Sequence, residues 1–110
     1  MRELETYDEY KEFLEEHPDK LVIIDFHAEW CGPCKMMGPK FENLEEEEKY
    51  GDKVVYAKVD VDENEETAEE LDIEGMPTFI LYVNGETVNQ MVGDDFNKLL
   101  GIIDEEVAKV

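Results

Sequence analysis

LVIIDFHAEWCGPCK, residues 21–35, decides how the rest of the chain is read. Its first seven residues form a nearly continuous apolar and β-branched run, which suits a strand covered on both faces of a sheet. Residues 32 to 49 read as a long helix with Met36, Met37, Phe41 and Leu44 as its inward face. Pro39 falls inside that helix and is expected to kink it, with Gly38 adding softness. In open α/β sheets the chemistry sits in loops beyond the carboxyl ends of the strands. Here that loop carries Cys31 and Cys34, the only two cysteines of the chain.

Working outward, TYDEYKEFLEE upstream places Tyr7, Tyr10, Phe13 and Leu14 at helical spacing, and Thr6 with Glu9 has the form of a capping box. HPDK ends that helix. Downstream, GDK breaks the chain and VVYAKVDV reads as a second buried strand. DENEETAEELDI reads as a short acidic helix. PTFILYV and TVNQMV flank Asn84-Gly85, a strong hairpin signal. The closing helix carries Phe96, Leu99, Leu100, Ile103 and Val107 on one face, with Gly101 in its middle. Strands joined through helices pair in parallel, and the hairpin adds an antiparallel edge. The fold class is therefore α/β: a mixed central sheet with helices on both faces, expected to form a single domain over residues 1–110.

The 110 residues include 42 % hydrophobic and 37 % charged side chains, with a formal net charge of -21. Thirty-one acids against ten bases argue against nucleic acid, whose affinity rests on Lys and Arg at phosphates. The same balance disfavours an anionic membrane surface. The acids either keep the chain soluble or select basic partners, and the sequence leaves both readings open. No stretch is long or apolar enough to span a bilayer. The acidic start shows no apolar signal region and the end no retention signal, so a reducing cytoplasm and a monomer are expected.

Three readings compete for Cys31 and Cys34. A structural zinc site usually needs four ligands, and His17 and His27 are poorly placed to complete one. A structural disulfide closing so small a loop constrains little chain entropy and suits a reducing compartment badly. The remaining reading is a dithiol–disulfide couple. At a helix start, Cys31 faces unpaired N–H groups and the positive end of the dipole, which favour its thiolate. Pro33 suits a first helical turn. Cys34, one turn in, is expected to be more buried and less acidic. Cys31 would attack a target disulfide, and Cys34 would then displace the reduced target. The second step needs a base. Asp25 is either a solvated strand-end aspartate or a buried acid with a raised pKa, and its place on the strand feeding Cys31 favours the latter. Lys58 on the next strand is either its neighbour or an exposed strand-end lysine.

IIDFHAEWCGPCKM, KVDVDEN, GMPTFILYVNGE and the glycine of MVG resemble the thioredoxin family in order and spacing, from about residue 4 to the end. The resemblance implies the thioredoxin fold, with a short extra strand near Arg2 to Leu4 and a cis Met76–Pro77 peptide facing the cysteines. It implies a protein-disulfide reductase with Cys31 as nucleophile, Cys34 as resolving thiol, Asp25 as buried acid and Lys58 as its partner. Trp30, Gly32, Pro33, Gly75, Met76, Pro77 and Gly93 would form the substrate-docking groove. The partners implied are disulfide-containing proteins and a thioredoxin reductase. NADPH would be used only through that reductase, with no bound cofactor or metal. A disulfide isomerase or oxidase is the alternative, but those relatives carry histidine where Pro33 stands. A redesigned fold of this type with an idle site is a further one. Three departures from the family stand out: His27, the helical glycines Gly38 and Gly101, and the extreme charge. His27 shares a strand face with Asp25 and is either a tolerated substitution or, if protonated, a group that favours the Cys31 thiolate or pairs with Asp62.

Overall fold

The computed structural model describes residues 1–110. Five strands and four helices follow in the order β1 (Arg2–Glu3), α1 (Tyr7–Glu16), β2 (Leu21–His27), α2 (Gly32–Glu46), β3 (Val54–Asp60), α3 (Glu65–Glu70), β4 (Thr78–Val83), β5 (Glu86–Val92) and α4 (Phe96–Val107). A single 3₁₀ turn, Gly51–Lys53, precedes β3. The strands form one sheet in the order β1-β3-β2-β4-β5. β1 and β2 each run parallel to β3, whereas β4 is antiparallel to both β2 and β5. This is the mixed sheet with helices on both faces expected from the sequence, with one correction: β4, although joined to β3 through α3, pairs antiparallel to β2 rather than in parallel, because the chain re-enters the sheet beside β2 from the opposite end.

Local chemistry explains the boundaries. The Thr6 hydroxyl accepts the Glu9 N–H at 3.1 Å and caps α1. Glu9 reaches back in turn, accepting the Glu5 N–H at 3.2 Å rather than that of Thr6. Asn64 and Asp95 cap α3 and α4 in the same way, through the Thr67 and Lys98 N–H groups. Asn84 and Gly85 both adopt positive φ, 51° and 82°, as the tight hairpin turn between β4 and β5 requires.

β2 is the central strand, and its first six residues are buried. Alternation along it splits the core in two. Leu21 and Ile23 pack with Met37, Phe41, Leu99 and Ile103 under α2 and α4. Val22, Ile24 and Phe26 pack with Leu4, Tyr10, Phe13 and Leu14 on the α1 and α3 side. Each large apolar side chain fully removed from water, such as Phe41 or Phe79, contributes about 1.5–3 kcal/mol.

Two expectations about α2 need correction. The helix ends at Glu46 rather than at residue 49, and Glu48 has already left helical geometry at φ 50°. Met36 is not on the inward face: it is 63 % exposed, while Met37, Phe41 and Leu44 are buried. Two adjacent methionines cannot both face the sheet on a helix with about 100° between successive residues. α2 also runs unbroken through Pro39.

Candidate active site

The loop after β2 delivers Cys31 to the N-cap of α2, with backbone φ -89° and ψ 110°. The Cys34 N–H donates to Cys31 Sγ at 3.2 Å. One orphan donor of the first turn is thus spent on the sulfur that the sequence marks as nucleophile. Pro33, in the same turn, removes an N–H that would have had no helical partner. Cys31 and Cys34 are bonded to one another, with Cα atoms 5.2 Å apart. Burial does not separate them as expected: Cys31 is 5 % and Cys34 6 % exposed. Their surroundings differ instead. Cys31 sits at the helix end, while Cys34 faces inward onto a hollow that also reaches Asp25.

Asp25 is 3 % exposed, and its Oδ1 has no hydrogen-bond partner. Burial pushes its pKa from an ordinary 3.8 up to about 7. The Lys58 charge opposes the rise, while Glu42 and Glu3 add to it. Lys58 stands beside Asp25 in the parallel register of β2 and β3. Its ammonium, however, is hydrogen-bonded to Glu42 Oε1 at 3.0 Å. Burial alone would lower the Lys58 pKa, but the Glu42 bond and the nearby acids outweigh that and hold it raised. Lys58 therefore acts on Asp25 through its field and on Glu42 by contact.

His27 lies on the Asp25 face of β2, as alternation requires. Its partner is not Asp62. Its Nε2 lies 3.3 Å from a Glu3 carboxylate oxygen, within ion-pair reach but off the line of a hydrogen bond. Asp62 is engaged elsewhere, accepting the Trp30 indole N–H at 2.8 Å. The expectation failed because β1, only two residues long, brings Glu3 beside Lys58 at the sheet edge.

The residues expected to contact substrate lie beside the cysteines in the chain, on the segment that Met76 packs against them or, for Gly93, bonded to that segment. Trp30 is 68 % exposed, and Gly32 and Pro33 are exposed next to it. Met76 packs against Ala28, Cys31 and Cys34. The Met76–Pro77 peptide is cis. The Thr78 hydroxyl donates to the Gly75 carbonyl, and the Gly93 N–H donates to the Pro77 carbonyl at 2.9 Å. Gly93 has φ 114°, a conformation glycine adopts freely. A Cβ on Gly75 would stand 2.8 Å from Val92 Cγ1, so a larger residue there would have to push the exposed Val92 side chain aside. Neither Val92 nor Glu42 was singled out from the sequence. Glu42 was findable, since Cys34, Gly38 and Glu42 recur at intervals of four on one helix face.

Comparison with known proteins gives concordant results. A family model described as Thioredoxin matches residues 2–105. The thioredoxin of Malassezia sympodialis is 45 % identical over 105 residues, covering 96 % of this chain and 97 % of that protein. Human thioredoxin is 39 % identical over 107 residues, covering 97 % and 99 %. Among solved structures, that of Fasciola hepatica thioredoxin superposes with a TM-score of 0.89 at 38 % identity, covering 96 % of this chain and 98 % of the other.

Proposed function

This chain belongs to the thioredoxin family, and on that premise we infer the following division of labour within its site. The protein is a disulfide oxidoreductase that reduces protein disulfides through the Cys31–Cys34 couple. Cys31 is the nucleophile. The observation that carries this assignment is its N-cap position, where the Cys34 N–H and the helix end both stabilise negative charge on sulfur. The Cys31 thiolate attacks a substrate disulfide, forming a mixed disulfide and expelling one substrate thiolate. Cys34 loses its proton to Asp25, attacks Cys31 Sγ and releases the second substrate thiolate. Asp25 suits this role because a carboxyl with a pKa near neutrality accepts and returns protons at working pH. Lys58 and Glu42 set the charge around it.

Substrate chain lies across Trp30, Gly32, Pro33, Gly75, Met76, Pro77 and Gly93, pairing with the backbone before the cis proline. The whole of residues 1–110 works as one domain and as a monomer in the cytoplasm. A thioredoxin reductase recharges the couple with electrons from NADPH, and the chain itself holds no cofactor. No helix is long and apolar enough to cross a membrane.

Dithiothreitol-driven reduction of insulin tests the assignment. The protein should accelerate precipitation of the insulin B chain, and Cys31→Ser should abolish the acceleration. An activity no greater than that of the variant would overturn the reading.

A further inference from the structure

Two hollows meet at the back of the redox pair. The inner one, about 60 Å³, touches Asp25, His27, Cys34, Gly38, Glu42 and Lys58. This volume holds one or two waters at about 30 Å³ each. The outer one, about 580 Å³ and open to solvent, is lined by His27, Cys34, Lys35 and Gly38 among others. His27, Cys34 and Gly38 are common to both. Of these, only His27 carries a group that both gives and takes protons without entering the sulfur chemistry. Gly38 leaves the passage open, since a Cβ there would meet nothing within 4 Å. Two of the departures from the family therefore fall on one opening.

The buried carboxylate needs such an opening. Asp25 is almost wholly shielded, and its Oδ1 is unpartnered. A proton taken from Cys34 has to leave Asp25 before the next cycle. His27 stands two residues along the same strand face, about 6.6 Å away at about 3.3 Å per residue. Both side chains line the inner hollow, so a water held there can touch both. The imidazole is itself four-fifths buried, with the Glu3 carboxylate 3.3 Å from Nε2. The charged groups around it are Glu3 on β1, Asp25 on its own strand, Glu29 in the loop that follows, Lys58 and Asp60 on β3, and Lys35 and Glu42 on α2. The N-terminal ammonium of Met1, whose residue also lines the inner hollow, is held by Glu45 at 3.4 Å.

We propose that His27 is the proton relay between Asp25 and solvent, held in place by Glu3. This rests on the reading of Asp25 as the base for Cys34. In the resolving step the Cys34 S–H bond breaks, its proton passes to Asp25, and the new Cys31–Cys34 bond forms as the Cys31–substrate bond breaks. The electron pair leaves with the substrate thiolate. Asp25 then passes its proton through water to neutral His27, which releases it to the outer hollow. Reduction of the disulfide runs the same path inward.

The test follows formation and decay of the mixed disulfide with a disulfide-linked peptide by stopped flow, at low buffer concentration between pH 6 and 8. His27→Ala should leave formation unchanged and slow decay by about tenfold. Added imidazole should restore the rate, which a purely structural loss would not allow. Decay at the unsubstituted rate, or slow decay that imidazole fails to restore, would overturn the proposal. His27→Ser carries the same test should the alanine variant fold poorly. Asp25→Asn separates this from the reading beneath it: unchanged decay in that variant removes Asp25 as the base, whatever His27 does.

Discussion

Above neutral pH, Asp25 must hold a charge where its Oδ1 receives no hydrogen bond. Its folded pKa of about 7 lies about three pH units above its ordinary 3.8. At about 1.4 kcal/mol per unit, the ionised form weakens the fold by about 4 kcal/mol. The sign follows from proton counts. Below about pH 4 the carboxyl is protonated whether the chain is folded or not, and nothing is lost. Between about 4 and 7 the unfolded chain has released the proton and the folded chain retains it, so stability falls as pH rises. Above about 7 the fall is complete. Asp25→Asn should therefore unfold at higher urea concentration than the parent at pH 8, by up to about 4 kcal/mol, with the two converging near pH 4. Equal midpoints at pH 8 would show that the carboxylate is solvated. The close Cys31–Cys34 pair at a helix start was legible from its spacing, and the burial of Asp25 from its place in an apolar strand, whereas Gly75, Met76, Pro77 and Gly93 were singled out only through the family resemblance. Glu3 was not, because its approach to His27 is a cross-strand contact that no periodicity encodes.

Among the elements, α4 offers the cleanest comparison. Gly101 is exposed in the middle of the helix, and a Cβ there would meet nothing within 4 Å. Gly101→Ala should stabilise the chain by about 1 kcal/mol in denaturant titration, through helix propensity alone. At the other end of the fold, Thr6→Ala removes the α1 cap and should cost about 1 kcal/mol. A thermal or urea midpoint unmoved by either change would mean that tertiary packing alone sets these helices. Strands β2 to β5 were readable along the chain because β2 and β3 are apolar runs and the hairpin carries Asn-Gly, but the antiparallel pairing of β4 with β2 was not, since no local pattern encodes it. The inward set of α4 was readable only in part. Leu99 and Ile103 are buried as their spacing predicts, but so is Glu106. Its carboxylate accepts from the Asn89 side chain at 3.2 Å and lies 3.6 Å from Lys109 Nζ. A charged residue buried by a partner on another element leaves no hydrophobic signature.

At the scale of the whole molecule, the charge of -21 dominates. Ten bases cannot neutralise thirty-one acids, and pairs such as Arg2 with Glu16 and Lys109 with Glu105 are exposed and weak. The folded chain therefore repels itself, and salt should relieve the repulsion. Raising sodium chloride from 10 to 500 mM should raise the melting temperature, by about 4–8 °C for each 1 kcal/mol of repulsion screened. A melting temperature independent of salt would mean that the acids are spaced widely enough not to matter.

The chain has one tryptophan, and it precedes Cys31 directly with its indole pinned to Asp62. A neighbouring disulfide quenches indole emission and a dithiol quenches it less. The oxidation state of the purified protein should thus be readable from its own fluorescence, with no label attached and no second fluorophore of the same kind to subtract.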